Sequence, residues 1–189
     1  MSDNDDYDCS FTIASKPTAH EHVIQLSEEI TSNNSDYYGL IHFLENKVSE
    51  EDIVKIYMAC FGGSIHTGLQ IASAIQSCRS PVIVEVTNSS YSMGAVLALC
   101  GDALIMRKGT FLMFHNYSGW FGGKGKETLD QHHEFEEHVS RTLFDICSPF
   151  LTKREVKQIR NDKDVYIHEW DEDLATRCSR HFKAMREDK

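Results

Sequence analysis

The sequence predicts an α/β fold with mostly parallel strands in one domain. Its 189 residues, of which 41% are hydrophobic and 25% charged, are typical of a globular domain with a substantial core. From residue 22 onwards, short β-prone runs alternate with segments of helical spacing. Strands that alternate with helices pair in parallel, because each helix carries the chain back to the start of the next strand.

The first 19 residues are polar, acidic and aperiodic, so we interpret 1–19 as a flexible N-terminal arm and 20–189 as the single folded domain. The opening MSDNDDYD carries four acidic residues and no Lys or Arg, unlike the basic start of a secretory signal. A net charge of −10 argues against nucleic-acid and anionic-membrane partners. The longest apolar stretch is interrupted by Asp102 and is shorter than the roughly 20 residues of a membrane span.

The six cysteines contain no C-x-x-C pair, and several stand beside apolar residues as buried thiols do. Without an export signal, a disulfide framework is not expected, and we predict a cytoplasmic protein.

The first half of the chain contains three predicted strands and two predicted helices. Residues 36–48 place apolar side chains at the i, i+3, i+4 spacing of a helix, and residues 64–78 repeat that spacing. The strand before the second helix ends at Gly62-Gly63, and Pro81 opens the strand after it. The predicted strands cover 22–26, 52–61 and 81–86.

The second half begins with an apolar helix that Gly101 closes and ends with a short strand and a helix. Between them, Thr152 and Glu155 form the sequence signature of a capping box at a helix start. The predicted elements are the helix 93–101, the strands 103–108 and 110–115, a glycine-rich connector 118–127, helices over about 127–147 and 151–160, and the strand and helix within 164–182.

Two strand-to-helix turns combine residue types that acyl transfer uses. Gly62-Gly63 exposes backbone N–H groups to close approach, so it forms either part of an oxyanion hole or a simple turn. Ser92 stands where a helix N-terminus favours developing negative charge, with the Met93 N–H beside it. Ser89, Ser90 and Ser92 all suit a helix entry, so Ser92 is either an N-cap or a nucleophile. Only S-x-G of the G-x-S-x-G elbow is present.

His115 and Asp164 could complete such a site. His115 closes an apolar strand, where it is either a structural histidine with a satisfied ring or a general base. Asp164 precedes a short apolar run, a common place for an acidic residue. In acyl transfer a serine attacks, a histidine carries the proton and an aspartate fixes the imidazole tautomer. The chain order Ser, His, Asp differs from the orders in chymotrypsin, subtilisin and α/β-hydrolases.

The segment DQHHEFEEH offers a rival site. Its acidic and histidine side chains, His133 and Glu137 among them as i, i+4 neighbours, could hold a metal ion. A solvated, charged helix face explains the same residues more simply.

Taken in order, four segments resemble the Clp protease proteolytic subunit (ClpP) family. ACFGGSIHTGLQI resembles its N-S-P-G-G-x-x-x-x-G segment, and YSMGAVLALCG resembles its A-S-M-G-A nucleophile segment. FLMFHNYSG is similar to its M-I-H-Q segment, and NDKDVYIHEWDEDLA to its R-D-x-[FY]-[LM]-[ST]-x-x-E-A segment. The likeness runs from about residue 22 to about residue 182 and identifies the chain as a divergent member of the family.

The resemblance implies roles for individual residues. Ser92 becomes the nucleophile, His115 the general base and Asp164 the orienting acid. The backbone N–H groups of Gly63 and Met93 become the oxyanion hole. The implied substrate-binding residues are Gly62, Gly119, Trp120, Phe121, Gly122 and Gly123, with no metal.

The resemblance also implies a fold and an assembly. The fold is a crotonase-like stack of ββα units with a protruding handle at about 117–148, made of a glycine-rich strand near 119–126 and the helix from about 127. Two heptameric rings stack as a tetradecamer around a closed chamber, and an AAA+ Clp ATPase feeds in unfolded polypeptide. The chain itself needs no cofactor, since only the partner would use ATP. The handle strand aligns substrate by β-augmentation, which reads backbone rather than side chains.

Several residues depart from the family pattern beside these motifs. Phe61 replaces the proline before the two glycines, Tyr91 the alanine before the nucleophile, and Asn116-Tyr117 the Gln-Pro after the base; His168 stands where the family has Ser or Thr. The first hypothesis is therefore an active self-compartmentalising serine endopeptidase. The alternatives are a catalytically silent or regulatory subunit, and a dedicated processing peptidase that acts without an ATPase.

Overall fold

The computed structural model describes residues 19–119 and 122–187, and all but the last residue of the predicted arm lies outside them. Two sheets organise this part of the chain. A four-stranded, wholly parallel sheet has the order β1-β2-β3-β5. In the second sheet, of order β4-β6-β7, β6 pairs in parallel with β4 and antiparallel with β7. The strands are β1 (Glu21–Ile30), β2 (Ile53–Gly63), β3 (Val82–Val86), β4 (Ser90–Tyr91), β5 (Ala103–Met106), β6 (Phe111–Phe114) and β7 (Val165–His168).

Helices cover the buried face of the four-stranded sheet. Alternate side chains of β2, Val54, Ile56 and Met58, are fully buried beneath them. The helices are α1 (Tyr38–Asn46), preceded by a 3-10 turn (Asn34–Tyr37), α2 (Ile65–Ser77), α3 (Met93–Ala98), α4 (Gly125–Glu134), a π-helical turn (Phe135–Ser140), α5 (Arg141–Cys147), α6 (Lys153–Arg160) and α7 (Leu174–Glu187). This arrangement confirms the predicted α/β class with mostly parallel pairing.

The predicted elements differ from the observed ones mainly at their ends. β1 extends to Ile30, well past the predicted end at 26, because its backbone follows the edge of β2. The predicted long helix is divided by the π-helical turn into α4 and α5. β4 is two residues long and carries no periodicity, so the sequence did not indicate it.

The buried guanidinium of Arg177 joins helix α7 to helix α6. The predicted capping box is present at α6: Thr152 N donates to Glu155 Oε2 at 2.7 Å, and Thr152 Oγ1 accepts from Glu155 N at 3.3 Å. Arg177 of α7 donates to both carboxylate oxygens of the same Glu155, at 2.8 and 2.9 Å. This bidentate geometry fixes α7 against α6.

The strand predicted near 119–126 is not formed by the described residues of that segment. Gly119 and residues 122–124 lie outside any strand, α4 begins at Gly125, and Trp120 and Phe121 lie outside the described residues. An extended segment becomes a strand only when a neighbour satisfies its backbone N–H and C=O groups. No helix in the described part of the chain is long and apolar enough to cross a bilayer.

Candidate active site

Ser92 lies in a strained turn between β4 and α3. Its backbone has φ 54° and ψ −125°, a region that residues other than glycine rarely adopt. The backbone N–H donates to Met113 O of β6 at 2.8 Å, which fixes the turn against the sheet. Although Ser92 occupies the N-cap position, its side chain makes no cap hydrogen bond. The hydroxyl is therefore not used for capping, the alternative role that the sequence left open.

Ser89 and Ser90, the two serines that precede Ser92, are both buried. Ser90 is fully buried, and its Oγ accepts a hydrogen bond from Cys60 N at 3.3 Å. Ser89 is buried at the end of the turn that follows β3. Of the three serines, Ser92 is the one that is partly exposed and faces a cavity.

The Gly62-Gly63 turn packs directly against Ser92. Both glycines have positive φ, 96° and 122°. A Cβ atom on Gly62 would lie 2.7 Å from Ser92 Cβ, and one on Gly63 would lie 2.2 Å from Ile30 O. A side chain at either position would displace its neighbours, so the turn requires glycine here for close approach. The Gly62 N–H already donates to Cys60 Sγ at 3.4 Å.

His115 follows β6 directly and shares two concave surfaces with Ser92. One is a partly enclosed, mainly apolar cavity, which Met93 also lines. The other is an open groove lined by Gly63, Ser92, His115 and Gly119. The structure therefore brings Gly63, Ser92, His115 and Gly119 together, although they are up to 56 positions apart in the chain.

Asp164 follows the strand opposite His115, but in the described structure no hydrogen bond or ion pair joins the two side chains. The antiparallel register pairs Phe114 with Val165, so positions 115 and 164 are the next opposed pair beyond the ladder. The Asp164 side chain is exposed and lines neither concave surface. No hydrogen bond joins Ser92, His115 and Asp164 in the described structure. Instead, Asn116 Nδ2 donates to Asp162 Oδ1 at 2.9 Å and joins the two strand ends.

Tyr117 is a site residue that the sequence marked only as a departure from a family pattern. It lines both the cavity and the open groove. Its hydroxyl lies 3.2 Å from His132 Nε2, and its ring packs 4.8 Å from that of Phe135. Burial, together with a hydrogen bond to Glu136, raises the pKa of Tyr117 to about 12. The phenol is therefore neutral and held between the site and the helical segment.

The rival metal site has the geometry of a solvated helix face. His133 Nε2 lies 3.7 Å from Glu137 Oε1, and both side chains are about 70% exposed, 71% and 69%. Within the described residues, no three His, Cys, Asp or Glu side chains converge on one point.

Comparison with known proteins decides the family. The profile of the Clp protease family matches residues 8–169. The chain belongs to the Clp protease family. It is similar to the ATP-dependent Clp protease proteolytic subunit of Deinococcus radiodurans, with 26% identity over 127 residues. That match covers 66% of this chain and 61% of the relative, so the chain spans about three fifths of the relative's length. The low identity makes this Clp protease family protein a divergent member, as the four sequence segments predicted.

Proposed function

We propose that this Clp protease family protein is a serine endopeptidase with Ser92 as its nucleophile. The observation that carries the proposal is the state of Ser92, whose backbone is strained, whose hydroxyl caps no helix, and whose side chain shares a cavity with His115. Backbone strain of this kind persists where the surrounding structure enforces it, and it clusters at active sites. A capping serine would instead have extended backbone and an engaged hydroxyl.

The proposed reaction follows from these positions. Ser92 Oγ attacks the peptide carbonyl while His115 accepts the hydroxyl proton and then delivers it to the leaving amine. Water hydrolyses the resulting ester through the same base. The N–H groups of Gly63 and Met93 stabilise the oxyanion; Met93 is the first residue of α3, where an N–H has no acceptor within the helix.

Asp164 takes the orienting role once its side chain turns toward His115. The register of β6 and β7 supports this, because it places the two residues directly beyond the last paired positions, Phe114 and Val165. The exposure of Asp164 leaves that rotation unobstructed by core packing.

The proposed substrate is extended, unfolded polypeptide. The groove beside Ser92 is open and includes backbone from Gly63 and Gly119. We assign backbone recognition to Gly62, Gly119, Gly122 and Gly123; Trp120 and Phe121, expected to take part, lie outside the described residues. A glycine-rich edge that pairs with a substrate strand reads backbone and tolerates many sequences.

The proposed assembly is the stacked double ring of the family, a tetradecamer with an AAA+ Clp ATPase as partner. α4 supports a handle at about 117–148, because none of its side chains is buried in the single chain. The stacked ββα units belong to the same proposal. We also propose 20–189 as one peptidase domain behind an N-terminal arm, and a chain that needs no cofactor of its own. The five described cysteines, all free thiols, support a reducing cytoplasmic compartment.

A catalytically silent, regulatory subunit is the second candidate. It is favoured by the lack of hydrogen bonds among Ser92, His115 and Asp164 in the described structure and by the exposure of Asp164. A dedicated processing peptidase would keep the same chemistry and act without an ATPase.

Labelling with a fluorophosphonate probe tests the proposal. We expect covalent labelling of the full-length wild type and of Ser89→Ala, and none of Ser92→Ala, as measured by intact mass. Absence of labelling in wild-type protein that native mass measurement shows to be assembled would favour the silent subunit. Peptide cleavage by the assembled chain alone, compared with cleavage after addition of a Clp ATPase and ATP, separates the two peptidase hypotheses.

A further inference from the structure

A buried histidine of α7 contacts the helix that begins directly after Ser92. His181 is fully buried, and its Nε2 lies 2.7 Å from Leu99 O at the end of α3. Because a carbonyl oxygen only accepts hydrogen bonds, Nε2 carries the proton and donates it to this bond. The Clp protease profile matches residues 8–169, whereas α7 spans Leu174–Glu187, so the family match does not extend to His181.

The surroundings of the His181 ring keep it neutral. The rings of Phe150 and Phe182 pack against the imidazole, with centroids 6.0 and 5.0 Å away. Among the described residues, its buried Nδ1 has no hydrogen-bond partner. Burial lowers the pKa of His181, and the positive charge of Arg180 acts in the same direction. A second proton, on Nδ1, would be an unpaired buried charge, so the imidazole has a single donor, which is directed at Leu99.

α3 is packed closely against the four-stranded sheet. A Cβ atom on Gly94 would lie 2.5 Å from Cys60 O of β2, and one on Gly101, just after the helix, would lie 2.8 Å from Val82 O of β3. The helix therefore approaches the backbone of two strands through its glycines. These contacts prevent movement toward the sheet, but a glycine has no side chain to oppose movement along the helix axis.

Hydrogen bonds to other elements hold the two ends of α3. At its start, the Ser92 N–H donates to Met113 O at 2.8 Å. At its end, Leu99 O is one of the carbonyls that no N–H within the helix can satisfy, and it accepts from His181 instead. Because helix carbonyls point along the axis, this bond acts mainly in the axial direction. α3 has six residues and is about 9 Å long, so a shift at its end also moves the Met93 N–H at its start.

α7 provides a fixed support for His181. Arg177, one turn earlier, makes the bidentate pair with Glu155 of α6. Arg180 Nη2 donates to Phe150 O at 2.8 Å in the segment between α5 and α6. The place of Leu99 is therefore set by elements outside the sheet on which α3 packs.

We propose that His181 is a positioning residue for the candidate active site: its Nε2–H holds the end of α3 and thereby sets the place of the Ser92 hydroxyl and the Met93 N–H at the start of that helix. The inference rests on the proposed role of Ser92 as nucleophile and adds a residue on which that role depends. His181 acts only through α3, since its described contacts include neither Ser92 nor His115.

Two substitutions of His181 form a matched pair. His181→Gln places an amide N–H close to the position of the imidazole Nε2, so it keeps the donor to Leu99 O. His181→Met has a side chain of similar length that suits a helix and an apolar core but has no donor. If His181→Met does not fold, His181→Asn keeps the amide and is too short to reach Leu99.

Hydrogen exchange of the full-length protein, followed by mass spectrometry, tests whether His181 holds α3. We expect a peptide that covers residues 93–100 to exchange faster in His181→Met than in the wild type or in His181→Gln. A peptide that covers α1 provides the control and should exchange at the same rate in all three proteins, because α1 does not include the bonded residues.

Labelling with a fluorophosphonate tests whether the site depends on this contact. A series of probe concentrations gives the maximal labelling rate, kinact, and the half-saturating concentration, KI. We expect kinact to fall about tenfold in His181→Met with KI unchanged, and His181→Gln to restore most of the rate, since a misplacement of about 1 Å can cost about 100-fold. The rates are measured well below the unfolding temperature of each variant, so that unfolding does not contribute.

The outcomes separate this inference from the proposed function. Ser92-dependent labelling that is as fast in His181→Met as in the wild type, or a loss of rate that His181→Gln shares in full, would overturn the positioning role and leave the nucleophile intact. Unchanged exchange of residues 93–100 in His181→Met would overturn it as well. Absence of Ser92-dependent labelling in the wild type would overturn both proposals.

Discussion

Replacing Ser92 with glycine should stabilise the protein relative to replacing it with alanine. At φ 54° a residue with a Cβ atom is strained, which costs about 1–3 kcal/mol, whereas glycine adopts this region freely. The glycine variant has a more flexible unfolded chain, which lowers its free energy of unfolding by about 0.5–1 kcal/mol. Because the Ser92 side chain makes no cap bond, neither substitution removes one. The net difference between the variants is about 1 kcal/mol in favour of glycine.

Thermal unfolding followed by circular dichroism measures this difference. For a chain of this length, about 1 kcal/mol raises the unfolding midpoint by about 2–4 °C. Wild type and both variants must be compared at one protein concentration, because assembly shifts the midpoint by mass action. Both variants lack the hydroxyl and should react with no serine-directed probe.

Ser179 provides the matched control. It lies exposed in the interior of α7, where glycine destabilises a helix by about 0.8–1 kcal/mol relative to alanine. There, Ser179→Gly should unfold at a lower temperature than Ser179→Ala, the opposite order to position 92. A Ser92→Gly variant that unfolds at or below the temperature of Ser92→Ala would refute the strain argument.

Three further predictions follow from neighbouring contacts. Gly62→Ala places a Cβ atom 2.7 Å from Ser92 Cβ, so we expect kcat to fall by about 100-fold with probe labelling slowed in parallel; an unchanged rate would contradict the close packing. Asn116→Ala removes the 2.9 Å hydrogen bond to Asp162, so we expect kcat to fall about tenfold with little change in KM. Asp162→Asn keeps an acceptor oxygen and should retain most of the wild-type kcat, and an equal loss in both variants would contradict this role. Backbone N–H donors hold the pKa of Asp52 well below its usual value of 3.8, so the carboxylate stabilises the fold above that pH and loses this effect as the pH falls. Asp52→Asn should therefore unfold at a lower urea concentration than wild type at pH 7, and the difference between their midpoints should close in acid. A difference that does not change with pH would count against the prediction.

Local periodicity was sufficient to predict most of the fold. Apolar side chains alternate along β2 and recur at helical spacing along α2, and in both elements these are the side chains that are buried. The period of the buried positions therefore distinguishes a strand from a helix. Polar residues at the boundaries between elements, Ser92 before a helix and His115 at the end of a strand, were identifiable from the same pattern. The capping box at Thr152 was readable because its two partners lie three residues apart.

Other features depend on residues that are distant in the chain and meet only through packing. The φ of Ser92 is set by its bond to Met113 and its contact with Gly62, neither of which a local window contains. The hydrogen bond of Asn116 to Asp162 and the packing of Tyr117 on Phe135 likewise form only when the loop before β7 and the π-helical turn are in place. The amino-acid sequence alone therefore identified the candidate catalytic side chains, because the hydrophobic pattern that locates the ends of strands and helices is a property of neighbouring residues. The close contacts between those groups arose only in three dimensions, because distances between remote segments are determined by how the sheets and helices pack.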